Sequence, residues 1–254
     1  MDQVYLPKNR HGFSVGTYVV LAPIQKPSQA ETERPYFYYV QDLEPLKVQV
    51  IQEIFILIEK YSNSYENIII TGSFLEKGFC FNDIDILLIS EQEEETTQIK
   101  KNIEEHLGIK AQVLVLTNKE ILKGLGTDPL YEMMLSKCVA KKRFIYKTEK
   151  KIDYKLLDLH LLKSKTLIEN FDMLDGSEKW YLIRNLFCIS LFLEDKKINN
   201  EEIKKKIEKE LGTNAESIKK NMLEKNVFLK KYKAAYHKTF MLIVNAIKHD
   251  AKQK

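Results

Sequence analysis

Two aspartates separated by a single isoleucine are the clearest candidates for chemistry in this sequence. Asp83 and Asp85 open an otherwise apolar run, Asp83-Ile-Asp-Ile-Leu-Leu-Ile89. In an extended strand, residues two positions apart point to the same face and lie about 6–7 Å apart along the chain. Two carboxylates in that arrangement repel each other, and Mg²⁺ favours such an oxygen cluster, which water and phosphate complete. We therefore predict that Asp83 and Asp85 hold Mg²⁺.

A Gly-Ser pair lies upstream of the aspartates. Gly72 and Ser73 follow a second apolar run, Asn67-Ile-Ile-Ile-Thr71, and nine residues separate them from Asp83. Glycine lets the backbone turn tightly beside a strand end. The hydroxyl and the amide N–H of Ser73 can donate hydrogen bonds to phosphate oxygens. The pattern thus predicts a phosphate site next to the metal site.

This arrangement, a Gly-Ser turn and an Asp-x-Asp pair between two apolar strands, resembles the nucleotidyltransferase superfamily. That superfamily includes polymerase-β-like enzymes, the minimal nucleotidyltransferases and the aminoglycoside nucleotidyltransferases. The resemblance covers residues 67–89 closely, and the order of strands and helices extends it to about residue 147. It implies an α+β fold in which helices flank a mixed sheet.

The resemblance also implies roles for the four residues of the motif. Gly72 and Ser73 are expected to bind the triphosphate, while Asp83 and Asp85 are expected to hold one or two Mg²⁺ ions and to act catalytically. The implied reaction transfers a nucleoside monophosphate from an NTP, with ATP favoured, to a hydroxyl acceptor. RNA, a protein or a small molecule could supply that hydroxyl.

The third carboxylate that the family usually carries on the next strand is missing from its expected position. That strand reads Lys110-Ala-Gln-Val-Leu-Val-Leu116, with Gln112 where the acid is expected. An amide ligates Mg²⁺ weakly and cannot act as a base at neutral pH. Glu120 and Asp128 lie beyond the strand and are alternative sources of an acid. Two functions stay open: an active nucleotidyltransferase, and a catalytically degenerate nucleotide- or RNA-binding module, antitoxin-like or regulatory.

The elements that position the motif change type twice along the chain. Residues 1–44 contain two β-branched and aromatic runs, Gly16–Pro23 and Tyr36–Val40, which predict a hairpin packed on the next domain. Residues 45–150 are predicted to form the nucleotidyltransferase domain. Residues 151–254 lack strand signals and predict an all-α helical bundle of four to five helices.

Apolar periodicity predicts the elements inside these regions. In the middle region, helices are expected from Pro45 and over residues 91–107, 118–123 and 128–139, and strands over residues 67–71, 83–89, 111–116 and 143–146. In the C-terminal region, helices are expected over residues 156–168, 180–193, 200–211 and 226–249. The aromatic residues Trp180, Tyr181 and Phe187 are interpreted as core.

Charge is unevenly distributed along the chain. The net charge is +4, but residues 151–254 have a net charge of +7 and the first 150 residues a net charge of −3. A basic C-terminal region would suit a polyanionic partner such as RNA, although lysine-rich helices mixed with glutamate more often form solvated faces. Lys77, Lys142 and Arg143 have the same two interpretations, as phosphate contacts or as solvated side chains.

Composition argues against several other classes of protein. Cys80, Cys138 and Cys188 are scattered, so neither a zinc site nor a disulfide framework is expected. No apolar run reaches the roughly 18–20 residues that span a bilayer. The sequence starts Met1-Asp2-Gln3, without a basic and then apolar leader. We therefore expect a cytoplasmic protein without a membrane partner.

Overall fold

The computed structural model describes residues 34–253, apart from residues 63, 80, 93 and 147. From Arg34 onward the chain forms one compact unit. Its described part contains a mixed five-stranded sheet and nine α-helices, which confirms the predicted α+β class. Within that part, no helix is long and apolar enough to cross a membrane. The first predicted strand, residues 16–23, lies outside the described residues.

The sheet contains one parallel pair of strands, and its other pairs are antiparallel. Its strands are β1 (Tyr36–Tyr38), β2 (Tyr65–Thr71), β3 (Asp83–Ser90), β4 (Lys110–Leu116) and β5 (Cys138–Ala140). Their order across the sheet is β1-β5-β2-β3-β4, and β3 and β4 form the parallel pair. A parallel connection needs a crossover element, which helix α2 (Thr96–Leu107) supplies between β3 and β4.

The central strands are buried on both faces because isoleucine and leucine fill them. Ile84, Ile86 and Leu88 pack with apolar residues of α2 and of α1 (Pro45–Tyr61). Leu87 and Ile89 pack on the opposite face, where α3 (Asn118–Thr127) contributes to the core. The sheet therefore lies between two apolar layers, and only polar residues at the strand ends remain available for a site.

Several predicted boundaries in this region are corrected by the structure. The segment 143–146 is not a strand, and the fifth strand is β5 instead. The first two residues of β5 fall within the helix predicted over 128–139, and its third residue lies just beyond that range. That helix is α4 (Pro129–Leu135). Residues 143–146 alternate as a strand would, but Phe144 packs against the ring of Tyr38 and donates its N–H to the Tyr38 hydroxyl.

One helix starts later than predicted, and another ends later than predicted. Helix α2 begins at Thr96 rather than at residue 91, because the carboxylate of Glu94 accepts hydrogen bonds from Ser62 and Ser64 before the helix starts. Helix α3 is capped by Thr117, which forms a reciprocal capping box with Glu120. It extends to Thr127, beyond the predicted end at residue 123.

The C-terminal region is entirely helical in its described residues, as predicted. Its helices are α5 (Tyr154–Glu169), α6 (Gly176–Leu193), α7 (Asn200–Leu211), α8 (Ala215–Lys219) and α9 (Lys225–Gln253). Four of them match the predicted helices, and the short α8 is additional. Helix α6 is buried on most of its surface and contacts α4, α5, α7, α8 and α9. The helical region has its own apolar core, while the predicted domain boundary near residue 150 stays a prediction.

Candidate functional site

The turn after β2 brings Gly72 directly against the carboxylate of Asp85. In the β2–β3 register Thr71 is opposite Asp85, and the chain then passes through Gly72 into a single 3₁₀ turn over Ser73–Leu75. Gly72 has a φ of +83°, and a Cβ atom there would lie 1.9 Å from Oδ2 of Asp85. The close approach therefore needs glycine, both for its conformation and for space.

Asp83 and Asp85 lie on one face of β3. Both are partly exposed, whereas Ile84 and Ile86 are buried on the opposite face. Burial raises the pKa of Asp85, the charge of Asp83 raises it further, and Arg184 opposes the shift. The two carboxylates thus carry mutual repulsion that a bound cation would relieve.

Gln112 completes this corner of the sheet. It is opposite Asp85 in the parallel β3–β4 register, and its Nε2 donates a hydrogen bond to Oδ2 of Asp83. Glu120 and Asp128, the alternative sources of an acid, instead cap helices: Glu120 accepts from the N–H of Thr117, and Asp128 accepts from the N–H of Leu130. Neither lines the cleft over the motif.

The donor set of this corner fits one type of metal site. Among the described residues, no group of three or more His, Cys, Asp or Glu side chains could hold an ion. A site closed by protein ligands is therefore a poor fit. Mg²⁺ is commonly held by one or two carboxylates and completed by water and substrate phosphates, and Asp83 with Asp85 could serve it in that way.

A cleft of about 980 Å³ opens over the motif. One side of the cleft is lined by Thr71, Gly72, Ser73, Asp85 and Gln112. We call these residues, together with Asp83, the sheet wall. The opposite side is formed by residues of α6, α7 and α8, which we call the helix wall: Trp180, Tyr181, Arg184, Asn185, Lys204, Ala215, Glu216, Lys219 and Lys220. The helical region therefore faces the motif across a space large enough for a nucleotide.

Two adjacent residues of the helix wall have buried polar atoms without partners. Nε of Arg184 and Oδ1 of Asn185 are both buried and have no hydrogen-bond partner among the described residues. Burial lowers the pKa of Arg184, and its guanidinium lies 5.7 Å from the centre of the Tyr181 ring. Sequence reasoning missed both residues, because only the packing of α6 reveals which of its faces meets the cleft.

A buried lysine of α1 forms hydrogen bonds to the segment between Gly72 and Asp83. Lys47 is 1% exposed, and its Nζ donates to the carbonyl oxygens of Glu76 and Gly78, each at 2.5 Å. The ammonium also lies 5.4–5.6 Å from the ring centres of Phe74, Phe79 and Phe81. The sequence signal for this anchor is a lysine on the apolar face of an amphipathic helix, which the periodicity alone did not single out.

Other candidate residues separate into those near the cleft and those away from it. Lys77 lines the cleft, whereas Lys142 and Arg143 do not. Phe187 is buried, as its interpretation as core predicts, but Tyr181 is 45% exposed and lines the cleft, so that interpretation is wrong for Tyr181. Trp180 is buried in the helical core and also reaches the cleft.

Comparisons of this chain with protein-family models, with curated proteins and with solved structures found no match. Any functional assignment therefore depends on the residues of the motif and on the geometry described above.

Proposed function

We propose that this protein is a Mg²⁺-dependent nucleotidyltransferase that moves a nucleoside monophosphate from an NTP, with ATP favoured, to a hydroxyl acceptor. The observation that carries the proposal is the contact between the Gly72 turn and the Asp85 carboxylate. It brings a turn able to bind phosphate and a pair of carboxylates together at one end of a nucleotide-sized cleft. We expect this activity in the cytoplasm.

The proposed roles follow from the chemistry of each side chain. The backbone and hydroxyl of Ser73, next to the open backbone of Gly72, donate hydrogen bonds to the triphosphate. Asp83 and Asp85 hold Mg²⁺, which when bound offsets the charge on the reacting phosphate and the leaving pyrophosphate. Gln112 cannot accept the proton of the attacking hydroxyl, so we expect that proton to pass to a phosphate oxygen of the nucleotide.

The second candidate is a nucleotide- or RNA-binding module without turnover. The hydrogen bond from Gln112 to Asp83 favours it, because an amide occupies part of a carboxylate that would otherwise bind metal. Lys204 and Lys219 line the same cleft and would attract a polyanion. When its ligand is a nucleotide, this candidate differs from the first only in lacking the transfer step.

Label transfer separates the two candidates. The protein is incubated with Mg²⁺ and each α-labelled NTP, together with RNA, protein or small hydroxyl acceptors. In the double variant Asp83→Asn, Asp85→Asn we expect transfer to fall by about 10³-fold, equivalent to roughly 4 kcal/mol of transition-state stabilisation. Asp158→Asn, which removes an exposed carboxylate of α5, serves as the control and should leave transfer unchanged.

The possible outcomes are distinct. Transfer that depends on Asp83 and Asp85 supports the enzyme. Tight Mg²⁺-dependent NTP binding without label on any acceptor supports the module instead. The absence of any Mg²⁺-dependent thermal shift with all four NTPs and with RNA contradicts both candidates, because a ligand that binds the folded state must stabilise it.

A further inference from the structure

The helix wall has a cation, Arg184, that forms no ion pair with a described residue, although the charge of Asp85 partly opposes the lowering of its pKa by burial. Arg184 projects from α6 into the cleft with its Nε atom buried and without a hydrogen-bond partner, and it forms no ion pair with a described residue. A buried, unpaired charge is costly, and proteins normally avoid it by pairing or by coordination to a ligand. The position of Arg184 is therefore one that a bound anion would complete.

Two lysines of the same cleft differ from Arg184 in having acidic partners. Lys220 pairs with Glu216 at 2.6 Å, and Lys137 lies 3.7 Å from Glu76. These ammonium groups already have counter-charges. Arg184 lies beside the Tyr181 ring and has no ion-pair partner among the described residues, which leaves the donors of its guanidinium for an oxyanion.

The neighbouring amide adds a second, different requirement. Oδ1 of Asn185 can accept hydrogen bonds, but it is buried, in a residue that is 1% exposed, and no described residue donates to it. An ionised phosphate has no proton to donate to it. The complementary group is an N–H or O–H, such as those of a base or a sugar. Arg184 and Asn185 together therefore fit a ligand that carries a phosphate beside a polar, donor-bearing part.

We propose that Arg184 binds a phosphate group of the nucleotide in the cleft and that Asn185 accepts a hydrogen bond from the nucleoside part of the same ligand. The identity of the ligand as a nucleotide rests on the proposed function. Under this arrangement the sheet wall contacts the nucleotide through its metal and its phosphates, and the helix wall contacts it through one phosphate and the nucleoside.

Two ligands test the two contacts separately. Binding of Mg²⁺-ATP and of Mg²⁺-tripolyphosphate, which lacks a nucleoside, is measured by calorimetry. Arg184→Met should weaken binding of both ligands by about 10- to 100-fold, the range for charged hydrogen bonds. Arg184→Lys should lie between it and the unmodified protein, because lysine keeps the charge but not the planar fork. Asn185→Ala should weaken ATP binding and leave tripolyphosphate binding unchanged.

The stability of the ligand-free protein distinguishes a binding role from a structural one. Arg184→Met removes a buried, unpaired charge, so its Tm without ligand should equal or exceed that of the unmodified protein. Arg143→Met is the matched control, because Arg143 is exposed and lies outside the cleft; it should change neither affinity nor Tm.

The inference and the proposed function can fail independently. If Arg184→Met binds both polyphosphates as tightly as the unmodified protein, or lowers the Tm without ligand, the inference is overturned while transfer through Asp83 and Asp85 can still be observed. If tripolyphosphate binding depends on Arg184 but no NTP is turned over, the inference stands and the enzyme proposal fails. If the unmodified protein binds neither ligand, both are overturned.

Discussion

The two walls of the cleft differ in how their polar groups are satisfied. On the sheet wall, Asp83 accepts a hydrogen bond from Gln112, Gly72 packs against Asp85, and Lys47 fastens the loop that joins them. On the helix wall, buried atoms of Arg184 and Asn185 have no partner within the described protein. Of the two walls, only the helix wall has buried polar atoms without a hydrogen-bond partner among the described residues.

This difference predicts two kinds of mutational effect. A polar group that the protein already engages contributes to folding, so a change on the sheet wall should lower stability and ligand affinity together. An unpartnered polar group contributes to binding at a cost to folding. A change on the helix wall should therefore lower affinity without lowering stability. The substitutions of Arg184 test the second half of this comparison, and the following substitutions test the first.

The largest effect on the sheet wall is expected from Gly72→Ala. A Cβ atom would lie 1.9 Å from Oδ2 of Asp85, so the carboxylate must move, and alanine is also strained at a φ of +83°. We expect the substitution to abolish Mg²⁺-dependent nucleotide binding. We also expect it to lower the free energy of unfolding by about 3 kcal/mol, the sum of backbone strain and overpacking. Urea denaturation and calorimetry measure the two effects.

Gly78→Ala provides a matched control for that prediction. Gly78 has a φ of +84°, nearly the same as Gly72, but no atom of the described residues lies within 4 Å of the position of its Cβ atom. It should lose only the strain contribution, about 1 kcal/mol, and keep nucleotide binding. Equal losses of stability and affinity in the two variants would show that the contact with Asp85 is unimportant.

The sheet wall is the part of the site that sequence could predict. Its strands are continuous isoleucine-rich runs, and Gly72, Asp83 and Asp85 interrupt them at positions where their chemistry is recognisable. Local pattern and local structure agree there, because a buried strand needs apolar residues and a tight turn needs glycine. Apolar periodicity predicted most of the helices, and the family resemblance implied the α+β class.

The helix wall could not be predicted, because it depends on how separate elements pack. Arg184 and Asn185 lie within a helix that is apolar on nearly every side, so periodicity does not indicate which residues meet the cleft. Short elements were missed for a related reason. The strand β5 has only three residues, and its pairing with Ile69 and Ile70 of β2, rather than its own pattern, defines it.

The next largest effect is expected from Lys47→Met, which removes the anchor of the loop between Gly72 and Asp83. Methionine keeps much of the apolar volume but leaves the carbonyl oxygens of Glu76 and Gly78 without their donor. We expect the free energy of unfolding to fall by about 2 kcal/mol. Nucleotide affinity should fall as well, since the loop no longer holds the turn in place.

Lys60→Met is the control for Lys47→Met. Lys60 belongs to the same helix and is exposed, with its ammonium 5.7 Å from the Tyr61 ring centre. Exposed substitutions of this kind usually change stability by less than about 0.5 kcal/mol. If Lys47→Met lost no more stability than Lys60→Met, the hydrogen bonds of Lys47 to the loop would not contribute to the stability of the sheet wall.

The smallest effect concerns the other end of α6, where the charges are paired. Burial alone would raise the pKa of Glu194, but the ammonium groups of Lys196 and Lys206, at 2.7 and 2.5 Å, outweigh burial and lower the pKa to about 2. A lowered pKa in the folded state means that the stabilisation is present above about pH 4.5 and is lost as the pH falls toward 2.

Glu194→Gln should therefore lower the free energy of unfolding at pH 7 by about 1 kcal/mol, since solvent screens a pair near the surface. It should also make stability fall less steeply between pH 4.5 and pH 2.5 than in the unmodified protein, as measured by urea denaturation across that range. Glu216→Gln, in an exposed pair with Lys220 that lowers the pKa of Glu216, should change the pH dependence by less, because solvent screens that pair more fully. If Glu194→Gln lowers the free energy of unfolding at neutral pH and Arg184→Met raises it, then α6 contains one charge that the protein pairs and one that a ligand pairs. If both variants lose stability, then the protein engages the polar groups of the helix wall as it engages those of the sheet wall.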